Sequence, residues 1–322
     1  MTESISNETI RNYLKDKKFL ANDLKSLWVV LTTIVCHGFI LWTYFGLHSS
    51  ILFVLTYPLI LLRWFMIYHD CIHLSFWENK KWCIRFGELL TIWTFTPYRY
   101  WRTNHILHHD NSGDRTTQKY DFNDTIFFTV HEYEQLSVWK RCLYRFVRDP
   151  FIFFTLIPII KFCIVDRFRK KCLLTNIGIG IRCSILFYFG GIHFLLLVII
   201  SFMIASTGGF VLFHLQHTYN PTYVNQIPGQ YSKMNSALQG SSCIMIPPVL
   251  KWFTLGIEYH HIHHLATQIP GYNLQSVYTN APSTFWDEVF KFDSFEKIID
   301  SLGKTLWDEQ KHRFVSFSEL DK

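Results

Sequence analysis

Residues 27–47 read LWVVLTTIVCHGFILWTYFGL and, after the short break His48-Ser49-Ser50, residues 51–68 read ILFVLTYPLILLRWFMIY. The first run holds no charge and the second only Arg63. About 20 apolar residues in a helix cross the hydrocarbon core of a bilayer. Backbone polar groups in lipid must be satisfied within the segment, so each run is expected to be a helix. The break leaves room only for a return, and the two runs read as a hairpin. Pro58 is expected to kink its second arm, with Arg63 near the exit side or in the protein interior.

The same pattern recurs farther along. Residues 173–213 form a second apolar block with Gly190-Gly191 near its middle. It divides into crossings over 173–190 and 193–213. Arg182 falls inside the first of these, either snorkelling or facing inward. The apolar stretches 82–97, 151–165 and 243–257 are short or broken by proline, and are expected to lie at the interface without crossing. The fold class is therefore all-α: a multi-pass integral membrane protein with four transmembrane helices in two hairpins. Residues 1–26, the 69–172 region and the C-terminal tail 281–322 then share one side. That side carries nearly all the lysine and arginine, which makes it cytoplasmic.

Composition agrees. Of 322 residues, 49% are hydrophobic and only 17% are charged, so the surface needs lipid to cover it. The formal charge of +6 flanks the apolar runs instead of forming a stripe. Nucleic acid is excluded as a partner on that ground, and anionic headgroups or an acidic protein fit better. The eight cysteines form no CxxC pair, which argues against structural zinc or a disulfide scaffold. The polar N-terminus does not read as a signal peptide.

Histidine carries the chemistry. Given 16 histidines, HxxHH is expected about 0.04 times by chance in this chain, yet it occurs twice. One copy is His105/His108/His109 and the other is His260/His263/His264. A third cluster is His69/His73. Helical residues at i, i+3 and i+4 share a face, so each cluster aims at least two rings at a common point. Imidazole suits iron, nickel, copper or zinc, and eight rings exceed the needs of one ion. A divalent-metal transporter would place ionisable groups at mid-membrane; these clusters lie just outside the apolar runs. His37, His48, His193, His131 and His312 stand alone and are expected to be packing or interfacial residues.

At these residues the chain resembles the membrane fatty acid desaturases of the acyl-lipid, Δ12-like type. The likeness runs through HDCIH (69–73), TPYRYWRTNHILHH (96–109), HEYEQLSVWKRCLYRFVRDPFIFF (131–154), LQHTYN (215–220) and GIEYHHIHHLATQIPGYNLQ (256–275). It implies a desaturase domain over about 27–280. It also implies a non-haem diiron centre that uses O2 and external electrons to place a cis double bond in a long acyl chain. The implied catalytic and metal-ligating set is His69, His73, His105, His108, His109, His260, His263, His264 and a ninth, His217, just after the last span. His261 stands at a variable position and is left out, and His214 is a candidate for the surrounding shell. One branch of the family has an asparagine one turn before the extra histidine; this chain has Phe213 there.

Asp70, Asp110, Asp114 and Glu258 are candidates to bond ring N–H groups and fix tautomers. The resemblance implies as partners a fatty acyl lipid or acyl-CoA and a separate electron donor, cytochrome b5 or a ferredoxin. Abundant aromatic residues are candidates to line an acyl tunnel. Lys140, Arg141, Arg145 and Arg148 form a basic patch for the donor or for a lipid headgroup. The location implied is the endoplasmic reticulum in a eukaryote or the inner membrane in a bacterium. A hydroxylase or other lipid oxidase shares the same scaffold, and ligands alone do not separate it.

Overall fold

The structure is a computed structural model that describes residues 6–117, 127–169 and 172–322. It is mostly helical. Among the described residues three candidate spans are long and apolar enough to cross a membrane: Lys17–Phe45, Ser50–Ile72 and Leu173–His217. The helix inside the first span is Asp23–Phe45, which begins where Asn22 accepts the Lys25 N–H at 3.0 Å through its side chain. The second begins under Ser49 and runs unbroken through Pro58. At 1.5 Å per residue each helix is about 35 Å long, enough for the hydrocarbon core.

The Leu173–His217 stretch is not one straight rod. Gly191 sits at φ 67°, ψ −173°, which is non-helical, and divides it. Only glycine adopts such a backbone cheaply. On the far side of the break Phe194 packs against Tyr44, Phe45 and Phe53, at the turn between the first two helices. The other end carries His214 and His217, one turn beyond the apolar run read from the sequence. That extra turn delivers His217 to the other histidines.

The arginines within the second and third candidate spans both meet protein groups. Arg63 is buried, its Nε donating to Thr33 Oγ1 at 2.8 Å and its Nη1 to the Trp252 carbonyl. Arg182 donates to the Ile92 carbonyl and the Tyr57 hydroxyl. His37 accepts from Trp64 Nε1 at 3.0 Å and His193 meets the Tyr44 hydroxyl, the packing roles expected of lone histidines.

Between the long helices lie Lys80–Thr94, Tyr98–Asn111 and several shorter pieces. The Lys80–Thr94 helix has 15 residues, too few to span, and Gly87 lets it close on Tyr98 and Cys71. The N-terminal helix Asn7–Leu14 is no loose tail. Ile10, Leu14 and Phe19 are buried in a cluster with Ile262, Ile269, Leu274 and Trp286. The C-terminal residues also fold back. Strand Leu306–Asp308 pairs antiparallel with Arg313–Val315, and Cys243–Ile244 pairs parallel with Lys291–Phe292. These two small sheets qualify an all-α description, and Trp307 is buried in one of them.

Candidate metal centre

Four helices supply the rings. His69 lies in the last turn of Ser50–Ile72 and His73 caps it. His105, His108 and His109 lie on Tyr98–Asn111, His217 ends the long broken helix, and His260, His263 and His264 lie on His260–Leu265. A close backbone approach sets the last helix against the first box. A Cβ on Gly256 would stand 2.3 Å from the Gly271 carbonyl, and Gly256 has φ +88°. The Gly271 N–H donates to Asp70 Oδ2 at 2.7 Å.

The rings gather into two groups. His69, His73, His105, His109 and His263 form one, and His108, His217, His260 and His264 the other. Within each group one nitrogen per ring lies within 4.8 Å of all the others. Eight of the nine residues are buried, and the ring Nε2 of partly exposed His73 is itself buried with no hydrogen-bond partner among the described residues. The sequence had all nine rings, but not how the boxes divide. His108 leaves its neighbours His105 and His109 for the other group, and His263 leaves His260 and His264.

The spacing within each group fits a cation. In the first, Nε2 pairs stand 2.9 Å apart for His69 and His105, 3.2 Å for His105 and His109, and 3.0 Å for His109 and His263. In the second they are 3.1 Å for His108 and His217, 3.0 Å for His217 and His260, and 3.0 Å for His260 and His264. An imidazole nitrogen binds a transition metal at about 2.1 Å, so adjacent ligands of an octahedral ion lie about 3.0 Å apart. An ion at the centre of each group would take up the nitrogen lone pairs that face it.

Electrostatics keeps the rings in ligand form. Burial, then repulsion from neighbouring imidazoles, holds His73, His105, His109, His260, His263 and His264 well below the ordinary histidine pKa of 6.5. Neutral imidazole is the metal-binding form. The other ring nitrogen has an acceptor nearby at two places. Asp70 Oδ1 stands 3.5 Å from His69 Nδ1, and the Gly240 carbonyl lies 3.1 Å from His217 Nδ1.

Of the four carboxylates singled out in the sequence, only Asp70 takes such a place. Asp110 pairs with Lys233, Asp114 holds Thr116 and Asn225, and Glu258 accepts from the Thr254 hydroxyl. His214 turns away to the Ser301 carbonyl at 2.8 Å. His261 is buried against Trp286 and joins neither group. Two aromatic contacts had no sequence signal beyond their position. Trp101 stacks on His105 with centroids 4.3 Å apart, and Phe213 lies 5.2 Å from His108 and 5.4 Å from His217.

The sequence pattern of the fatty acid desaturase family matches residues 47–288, a stretch that contains all nine rings. The chain belongs to the fatty acid desaturase family. A fatty acid desaturase of Bacillus subtilis (strain 168) is 33% identical over 94% of this chain and 89% of its own length. An sn-1 oleoyl-lipid 12-desaturase of Picosynechococcus is 25% identical over 80% of this chain and 76% of its own. The enzyme of the same name from Synechocystis gives the same figures. This protein is thus a desaturase oxidoreductase acting in lipid metabolism, with histidine groups able to bind metal.

Proposed function

We propose that this desaturase introduces a cis double bond at or near Δ12 of a lipid-linked long acyl chain, at a diiron centre held by the nine histidines. The observation that carries the reading is the pair of imidazole groups, each with ring nitrogens spaced for one ion. The Δ12 assignment and the lipid-linked substrate draw on the names of the two cyanobacterial relatives. A bound iron pair supplies the activation of O2 that removal of hydrogen from an unactivated methylene pair demands, chemistry no side chain provides.

The chain's own residues do the rest. Five neutral rings hold one ion and four the other, so no ligand charge offsets the cations. Asp70 at His69 and the Gly240 carbonyl at His217 orient two of the rings. Burial of the groups keeps bulk water from them.

In this reading the apolar helices make four crossings, one on each side of Gly191 and two in the first hairpin. The histidines face the cytoplasm, in the endoplasmic reticulum of a eukaryote or the inner membrane of a bacterium. The desaturase domain spans about 27–280, and a separate cytochrome b5 or ferredoxin delivers electrons. Expression in a host with a simple lipid profile, followed by gas chromatography of total fatty acids, tests the proposal. A new double bond at a defined position is expected, and His105→Ala should abolish it. A hydroxylated acyl chain in its place would assign the scaffold to a hydroxylase.

A further inference from the structure

The Val138–Arg148 helix is inside out for a helix in water. At about 100° per residue, Val138, Trp139, Cys142, Leu143 and Phe146 fall on one arc of about 140°. This arc is the outer one: Val138 is 67% exposed, Trp139 70% and Phe146 60%. Arg148 lies on the opposite arc, which faces protein, while Arg145 falls about 20° outside the apolar arc. Arg148 is buried with its guanidinium 4.7 Å from the Phe127 ring and 4.6 Å from the Phe153 ring. Arg145 pairs with Asp321 at 2.6 Å and donates to the Tyr133 hydroxyl. Two of the four residues of the basic patch are therefore engaged by protein, Arg148 inside and Arg145 at the surface. Its other members, Lys140 and Arg141, fall about 60° beyond the apolar arc, one on each side.

The apolar surface continues past the helix. Phe151 is 72% exposed and Phe168 86%, with Ile160 and Ile164 between them, and Leu173 then opens the long apolar helix. An outward apolar arc flanked by cations, followed in the chain by further exposed apolar residues and a long apolar helix, has one fitting occupant: the headgroup region of a bilayer.

We propose that Val138–Phe146 is an in-plane membrane anchor, seated among anionic headgroups on the side of the histidine groups. The proposal rests on the membrane-spanning reading above. Trp139 enters the interface, and Lys140 and Arg141 reach lipid phosphates from either side. The anchor is tied to the metal centre: Phe153 and Phe154 pack at 6.3 and 5.1 Å on His214, one turn before His217.

The test uses the full chain in lipid discs, with Cys36, Cys163 and Cys183 replaced by alanine. A spin label is placed on Cys142, at the middle of the arc. Labels on Val35→Cys and Ser276→Cys, in a Cys142→Ser background, report a spanning helix and the aqueous cap. Collision with dissolved O2 is compared with collision with an aqueous nickel chelate. For an anchor a few ångströms below the headgroups, the O2 preference at Cys142 should exceed that at the cap by about threefold or more. Exchanging phosphatidylglycerol for phosphatidylcholine should reduce it, and Lys140→Gln with Arg141→Gln should remove that lipid dependence.

A Cys142 label as wet as the cap, with Val35→Cys still in lipid, would overturn the anchor and leave the spanning reading intact. A wet Val35→Cys would overturn the spanning reading. Shielding of Cys142 that appears only with two chains per disc would give the face to a second copy and also overturn the anchor. Lipid dependence that survives both glutamines would overturn the headgroup role of Lys140 and Arg141.

Discussion

The two imidazole groups are built from the same parts in different proportions. The five-ring group takes two i, i+4 pairs, His69/His73 and His105/His109, and one single ring, His263. The four-ring group takes one such pair, His260/His264, and two singles, His108 and His217. Each HxxHH box thus serves both groups, giving its i, i+4 pair to one and its i+3 ring to the other. Helix geometry accounts for the split. Residues four apart lie about 40° apart around the axis, while the i+3 ring lies about 60° to the other side of i. One helix can therefore face two ions. The difference between the groups is the origin of the remaining ring: all five members of the larger group come from boxes legible at short spacing, while the smaller needs the end of a distant helix.

Breaking that dependence gives the largest expected effect. His217→Ala removes one of only four rings and leaves the five-ring group whole. Under the diiron reading, metal per purified chain should fall from about two ions to about one, with loss of desaturated product. His73→Ala, which leaves four rings of five, should cost less metal. Elemental analysis of the two variants compares the groups directly. Two ions retained in His217→Ala would remove His217 from the ligand set.

The groups also differ in what steadies them. Asp70 stands at His69 and is itself fixed by the Gly271 N–H, whereas His217 has a backbone carbonyl. Loss of a carboxylate beside a ligating histidine costs about 10–100-fold in metal affinity. Asp70→Asn should show that loss for one ion and spare the other, measured by competition with a chelator. An equal loss of both ions would mean that Asp70 acts on the fold and not on one group.

Acid tests both groups together. The six rings named above have folded pKa values below 6.5, while the unfolded chain titrates near 6.5. Below that pH the unfolded state binds more protons, so stability is full above about 6.5 and falls as pH drops. The metal-free protein should therefore lose thermal stability progressively from pH 7 to pH 5. Bound metal should oppose the loss, because protons then compete with the ions. A melting temperature flat across that range would show that the rings are not buried neutral.

Much of this was legible in the sequence, for identifiable reasons. The apolar runs and box spacings are local patterns, and local patterns survive as helices and shared faces. His217 has no local pattern, and it entered through resemblance to a family. The division of each box between groups was hidden, because which way the i+3 ring turns depends on the position of helices far off in sequence. Which faces of the Val138–Arg148 helix meet protein was hidden for a related reason. Spacing placed four basic residues near one another, but not which side of the helix the protein would cover. Phe127 and Phe153 take Arg148 inward and Asp321 holds Arg145 at the surface, and Phe127 and Asp321 are both far off in sequence.

Adjacency in sequence is a weaker guide than contact, and the smallest expected effect makes the point. Asp110 follows His109 directly, as Asp70 follows His69. Its side chain is half exposed and pairs with Lys233 at 2.9 Å on the surface, where such a pair is worth about 0–1 kcal/mol. Asp70 instead is buried, with one oxygen on a backbone N–H and the other beside a ring. Asp110→Asn should thus leave metal affinity within about twofold of the parent, since no ring nitrogen loses a partner. If chelator competition shows Asp110→Asn matching Asp70→Asn, the carboxylates act through the field they share at the five-ring group, and the orienting role given to Asp70 fails.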